Sequence, residues 1–262
     1  MQYLHFEYNM ELGYTNSVDK CHFTIKCIPK DDARQRLVGM DIMVHPEVEY
    51  AYGEDSFYNK KIYGCVKEPH KNFIFHISGD VEINQTTYEE LAVLERIGIY
   101  RYPYGKCKPG PELLKYLNTF DFLDGRSDYD KCISLMHKLH QDFIYLENST
   151  EVYTEAEEAW VLGKGVCQDY AHICITLLRL MGIPARYVCG LMIGEGASHA
   201  WVEALCGDRW IGFDPTNDCM VFNDYIKLGD GRDAGDCSIN RGIMWGGGNQ
   251  SQKIYVSVEE IG

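Results

Sequence analysis

No stretch of this 262-residue sequence is apolar for long enough to cross a bilayer, which takes about 20 such residues. It has no basic run either. Its 25 lysines and arginines face 39 aspartates and glutamates, a formal charge of −14. That balance argues against nucleic acid and anionic membrane surfaces as partners. The eleven cysteines include no C-x-x-C pair, so the ligand spacings of a structural zinc site are missing. An odd number of scattered cysteines also argues against a disulfide framework. The opening MQYLHFEYNMELGYTNS lacks the charged and apolar regions of a signal peptide. The expectation is a reduced, cytoplasmic protein with buried thiols and no metal or cofactor. There is no internal repeat or low-complexity tract.

The chemistry concentrates in residues 163–214. From 169 to 181 nearly every residue is apolar or small, which predicts a helix buried on most of its faces. Gly182 and Pro184 end it. Gly163 and Gly165 let the chain turn sharply into the first helical turn at Cys167. Free backbone N–H groups and the positive end of the macrodipole favour a thiolate in such a place.

A β-hairpin follows. Over 198–205 His199, Trp201 and Glu203 alternate with Ala200, Val202 and Ala204; over 209–214 Trp210, Gly212 and Asp214 alternate with Ile211 and Phe213. A tight turn at Gly207 and Asp208 pairs Cys206 with Arg209, and so Trp201 with Asp214. His199 is then the diagonal, same-face neighbour of Asp214, at ~7–8 Å between β-carbons. A one-residue slip would remove the contact.

Singly, each of the three has an ordinary reading: a small buried hydrophobe, a structural histidine, a turn-forming aspartate before proline. Together, a Gly-flanked Cys opening a buried helix and a His and Asp on one hairpin face provide a nucleophile, a base and an orienting acid. The motifs GVCQDYAH, GIPARYVCG, SHAWVE and WIGFDPTN resemble, in order and spacing, those of the transglutaminase-like superfamily, in a bacterial branch often described as candidate cysteine proteases. The resemblance implies an α+β, papain-like core with the Cys helix packed on an antiparallel sheet. By position it implies Cys167 as nucleophile, His199 as general base and Asp214 as orienting acid.

Residues 1 to about 88 read as β-rich, with strands over 23–28, 38–44, 72–78 and 80–84 and turns at 30–32, 52–55 and 78–80. This predicts a small sandwich-like domain. PKDDARQRLVGMDIMVHPE and DSFYNKKIYGCV resemble the N-terminal β domain of the same bacterial branch. TTYEELAVLERIG starts a helix in this reading, and a turn-rich connector puts the division near residue 100: an N-terminal domain over 1–100 and the core over 101–262.

Helices are expected over 111–122, with Leu113, Leu114 and Leu117 inward, and over 129–143, with Cys132, Leu135, Met136 and Leu139 inward. His137 and His140, three apart, read as a solvated face. The sequence from Thr154 to Glu157 reads as a capped helix start. Animal transglutaminases are calcium-dependent, but DGRDAGD lacks the alternating ligands and terminal glutamate of an EF-hand, so the acidic segment to Gly248 reads as a solvated loop. Residues 253–258 are expected to be the last strand of the core sheet.

The resulting expectation is thiol-dependent acyl transfer or hydrolysis at amide bonds of a peptide, protein or small amide substrate. The backbone N–H of Cys167 and one of Gln168, Tyr145 or Trp201 would hold the oxyanion. Two alternatives stand beside it: a protein-glutamine transglutaminase with an amine acceptor, and a non-catalytic module that binds protein or peptide.

Overall fold

The computed structural model describes residues 2–84, 89–91, 94–123 and 125–261. Strand β1 (Gln2–Ile25) runs for 24 residues because large apolar side chains occupy every even position of its first half. Leu4, Phe6, Tyr8, Met10, Leu12 and Tyr14 all bury, the period-2 pattern of a strand with one face on a core. There follow β2 (Gln35–His45), β3 (Tyr50–Glu54), β4 (Lys60–Val66) and β5 (His70–Ile83). β5 pairs with the first half of β1, from Gln2↔Ile83 to Gly13↔Asn72, and β4 with the second, from Cys21↔Val66 to Ile25↔Ile62.

Two expected turns are different. β5 runs unbroken through 78–80, since Gly79 has no β-carbon to collide with the Gly39 carbonyl oxygen on β2. The chain leaves β3 only at Asp55, whose carboxylate accepts the N–H groups of Phe57 and Asn59 at 2.8 and 3.0 Å.

The next segment is not the expected helix. Residues 89–91 form strand β6 (Glu89–Leu91), 94–100 a 3-10 turn, and the rest of the stretch lies outside the described residues. Helix α1 (Pro111–Leu117) buries Leu113 and Tyr116 and leaves Leu114 45% exposed. Its N-terminus is capped from a distance: the Glu157 carboxylate accepts the N–H groups of Gly110, Glu112 and Leu113 at 2.8–3.0 Å. Helix α2 (Asp128–Asp142) starts on Ser127, whose Oγ accepts the Asp130 N–H at 3.1 Å. It buries Cys132, Leu135, Met136 and Leu139, the face its sequence predicts.

Strand β7 (Ile144–Tyr145), helix α3 (Ala156–Leu162), strand β8 (Lys164–Gly165) and helix α4 (Cys167–Leu180) complete the helical layer. α3 begins one residue later than expected: Glu155 is its cap, and its N–H donates to Glu158 Oε2 at 3.0 Å. That offset releases Glu157 to serve α1.

Strands β9 (Ala185–Met192), β10 (Gly194–Gly196), β11 (His199–Cys206), β12 (Arg209–Asp214), β13 (Cys219–Met220) and β14 (Tyr225–Gly231) follow. The core sheet has the order β13-β12-β11-β9-β14, with β6 also on β12. α4 is buried on every side from Asp169 to Arg179, and packs with Ala200, Val202, Ala204, Ile211 and Phe213 of the sheet. Burying each such Leu, Ile, Val or Phe contributes roughly 1.5–3 kcal/mol. The architecture is α+β: an all-β, sandwich-like unit followed by a helix-on-antiparallel-sheet core.

The C-terminal strands overturn one expectation. β15 (Asn240–Gly246) and β16 (Gln250–Glu260) join the N-terminal sheet, pairing with the second and first halves of β1. β10 pairs with β16 there too, so sheet membership does not follow a division at residue 100. Without them the edge of a 24-residue strand would be bare, an invitation to aggregate. Val256 and Val258 bury in the same core as Leu4 and Phe6.

The acidic segment is not a solvated loop either. All of β14 is buried, and Asp230 and Asp233 are 2% and 6% exposed. Asp233 accepts the N–H groups of Lys106 and Gly235. Asp230 belongs to a buried cluster of three cations and three carboxylates in which formal charge cancels. Lys30 Nζ lies 2.6 Å and Lys227 Nζ 3.1 Å from Asp230 Oδ2. Lys227 is also 2.9 Å from Glu203 and 3.3 Å from Glu90, and Arg186 bonds the same two glutamates at 2.6 and 2.9 Å. These partners hold Asp230 far below, and Glu90 at about 2, despite burial that pushes both upward. Among the described residues no helix is long and apolar enough to cross a membrane, and all eleven cysteines are free.

Removing one partner of a buried ion cluster strands the others without water. Lys227→Met is expected to destabilise the protein by about 3–5 kcal/mol, measured by urea unfolding. A loss below roughly 1 kcal/mol would mean that water solvates the cluster.

Candidate active site

Three local structures converge at the N-terminal end of α4. The first is the helix start. Asp169 Oδ2 accepts the Val166 N–H at 2.8 Å and the Thr150 hydroxyl at 2.6 Å. The tight entry needs Gly165, where a β-carbon would lie 2.5 Å from Asp169 Oδ2 and 2.7 Å from its Cβ. Cys167 is the first residue of α4 and is partly exposed. The second is the β7–β8 pair, in which Tyr145 lies opposite Gly165.

The third is the hairpin. β11 and β12 pair Cys206 with Arg209 and Val202 with Phe213, the register that alternation predicts. His199 opens β11 and Asp214 closes β12. His199 Nε2 donates to Asp214 Oδ2 at 2.7 Å, and the Cys167 side chain lies close enough to the same imidazole to help raise it. The fold joins His199 to Asp214 by a hydrogen bond and sets Cys167 beside the imidazole.

Asp214 is fully buried and five donors converge on it. Its Oδ2 also accepts from Tyr225 Oη at 2.9 Å and Asn217 Nδ2 at 2.8 Å. Its Oδ1 accepts the N–H groups of Thr216 and Asn217 at 2.9 and 3.2 Å. Burial alone would raise its carboxyl, but His199, Asn217 and Tyr225 together hold it below the usual range. Burial likewise lowers His199, and the bond to Asp214 and the nearby Cys167 outweigh it, raising the imidazole from 6.5 to about 10. The site therefore favours an imidazolium between a carboxylate and a sulfur.

Asn217 and Tyr225 are absent from the sequence reading. The Asp-Pro-Thr-Asn string signals the turn that carries Asn217, but no local pattern shows that β14 delivers Tyr225 across the sheet.

The oxyanion candidates separate by position. Tyr145 is 49% exposed, and burial first and then the nearby Cys167 raise its phenol; like any phenol it is a donor at neutral pH. Gln168 is half-buried in the first turn. Trp201 is fully buried. It stacks 6.3 Å from the His199 ring and sits edge-on to Tyr225 at 5.3 Å.

His172 lies on the same helix as Cys167, but burial lowers it to about 3 and its Nε2 accepts the Ala234 N–H at 3.1 Å. It is a neutral structural group. His137 pairs with Asp218 and His140 Nδ1 lies 3.3 Å from the Pro215 carbonyl; both hold α2 against the turn after Asp214. Among the described residues no three His, Cys, Asp or Glu side chains group as metal ligands.

The raised imidazole gives a signed pH dependence. The stabilisation it contributes is complete below its ordinary 6.5 and is lost as pH rises through about 10. In Asp214→Asn the His199 imidazole is expected to titrate nearer 6.5 by NMR. The stability gap between wild type and variant should shrink between pH 6.5 and 10. An unchanged His199 titration would show that Asp214 does not hold the charge.

Residues 122–215 match the transglutaminase-like superfamily, and residues 4–82 match the bacterial transglutaminase-like N-terminal region. A protein of Mycobacterium tuberculosis is 27% identical over a 287-residue alignment that covers 96% of this chain and 90% of that one. One from Mycobacterium leprae is 38% identical over 127 residues, 45% of each chain. The crystal structure of a candidate cysteine protease from Cytophaga hutchinsonii covers 100% of this chain and 91% of its own, at 21% identity and a TM-score of 0.81. That likeness establishes a shared fold. Residues 122–215 are thus a transglutaminase-like core, and residues 4–82 ahead of it a bacterial transglutaminase-like N-terminal region.

Proposed function

We propose that the protein is a thiol-dependent hydrolase or acyltransferase acting at amide bonds, with Cys167 as nucleophile, His199 as general acid–base and Asp214 as the group that orients and charges His199. The observation that carries this reading is the single imidazole that bonds Asp214 and has the Cys167 side chain beside it. An imidazolium beside Cys167 stabilises a thiolate there. The thiolate attacks the amide carbonyl carbon, and electrons move onto the carbonyl oxygen. Collapse breaks the C–N bond, the leaving nitrogen takes its proton from His199, and a thioester remains on Sγ. Neutral His199 then takes a proton from the acceptor that resolves the thioester.

The Cys167 backbone N–H is the first oxyanion donor in this scheme and the exposed Tyr145 phenol the second. Such a donor contributes about 10²–10³ in rate. Trp201 backs the imidazole. With no cofactor in the scheme and the thiols reduced, a cytoplasmic setting suits the chemistry. Water as acceptor makes the protein a peptidase or amidase; a primary amine makes it a transglutaminase.

Intact-mass analysis of a glutamine-containing peptide, with and without a primary amine, tests this reading. Loss of ammonia or a cut backbone with wild type but not Cys167→Ala is expected for the hydrolase. Gain of the amine mass would instead identify a transglutaminase, and no change with either protein would leave a binding module. Tyr145→Phe should lower kcat by about 10²-fold while KM changes little.

A further inference from the structure

A cleft of about 690 Å³ is lined by none of Cys167, His199 and Asp214. One wall is β15, the other the segment that carries Val152 and Tyr153, and none of its lining side chains is acidic. Two cations face it, Lys106 and Arg241, with His22 beside them. In a chain of net charge −14, a cavity whose charged lining residues are a lysine and an arginine is a local inversion of charge.

Both cations bond only neutral oxygens among the described residues. Lys106 Nζ donates to the Val152 carbonyl, and Arg241 to the Gly235 carbonyl and, at 3.4 Å, the Ser238 hydroxyl. Neither forms an ion pair among the described residues, which leaves both side chains able to meet a ligand carboxylate. Lys26, Lys30 and Arg232 meet the carboxylates of Asp55, Asp230 and Asp236, whereas buried Arg179, like the two cleft cations, bonds only neutral oxygens among the described residues.

The cleft also has an open strand edge. β15 pairs with β1 alone among the described residues. Its Ile243 and Trp245 are 69% and 64% exposed, and Tyr153 across the cleft is 81% exposed. An unpaired strand edge with apolar and aromatic side chains beside it accepts an extended peptide by strand addition.

The cleft is joined to the catalytic end of α4. The segment 146–153 leaves Tyr145 beside Cys167, ties to α4 through the Thr150–Asp169 bond, and ends in the cleft wall at Tyr153. Burial raises the carboxyl of Asp169, two residues from Cys167, and Lys106 is close enough to offset part of that rise.

We propose that this cleft is a second binding site for the polypeptide substrate: an acidic, extended segment lies along β15 with its carboxylates on Lys106 and Arg241. This rests on the thiol-enzyme reading only in calling the peptide a substrate; the binding itself does not need it.

Fluorescence anisotropy with the Cys167→Ala protein separates the two. The probes are a labelled peptide of alternating glutamate and threonine, and the same peptide with glutamine for glutamate. The acidic peptide is expected to bind at least about ten-fold tighter than the neutral one. Lys106→Gln and Arg241→Gln should each weaken it by roughly three- to ten-fold, with unchanged thermal unfolding. N-methylation of alternate peptide amides should weaken it further, because a strand addition loses its backbone bonds.

Equal affinity for both peptides, or no effect of either substitution in a folded protein, would overturn the proposal. So would displacement of the peptide by an equal concentration of single-stranded DNA, which would mark the cleft as a general anion site. Turnover of glutamine peptides by wild type alongside any of these outcomes would remove the second site and leave the thiol enzyme standing.

Discussion

One strand pairing fixes the site. β11 and β12 can meet in one register only if Ala200, Val202, Ala204, Ile211 and Phe213 are to bury against α4. That same register turns His199 and Asp214 toward each other on the other face. Because side chains alternate with a period of two, a slip of one residue would expose the apolar face and separate the pair at once. The hydrophobic energy of the core thus holds the imidazole–carboxylate geometry.

The two faces of the core sheet have different chemistry. The α4 side is dry and aliphatic. The other carries Trp201, Asp214 and the buried cluster of Lys30, Arg186, Lys227, Glu90, Glu203 and Asp230. Lys30 reaches that cluster from the chain that links β1 to β2, and Glu90 from β6. Polar contacts therefore help bind the N-terminal β unit to the catalytic core, and they demand matched geometry that a purely apolar seam would not. β15 and β16 strengthen the same junction by placing the C-terminal end of the chain in the N-terminal sheet.

Much of this was legible in the sequence because it is local. The buried helix from Cys167, its stop at Gly182, the inward face of α2 and the 199–214 hairpin are all written in periods of 3.6 or 2 within a dozen residues. His199 and Asp214 were recoverable for the same reason, since a tight turn converts spacing into distance. The even-position pattern from Leu4 to Tyr14 was also present, and marks a strand far longer than the 23–28 segment that alternation there suggested. Gly79 misled because a glycine between Ser and Asp reads as a turn, when its use is to let β2 pass close by.

What the sequence by itself determined is the order of elements, the Cys helix and the facing of the hairpin, since each depends on neighbours in the chain. Tertiary structure alone decided the rest. It brought Tyr225 to Asp214 across the sheet, buried Asp230 and Asp233 where the acidic string reads as solvated, and returned β16 to β1. It also left Lys106 and Arg241 facing the same cleft. Each depends on partners outside the local strand or helix, 11 residues away for Tyr225 and Asp214 and 200 for Lys30 and Asp230, and a buried charge is tolerated only once its counter-charge has arrived. No local pattern carries that condition.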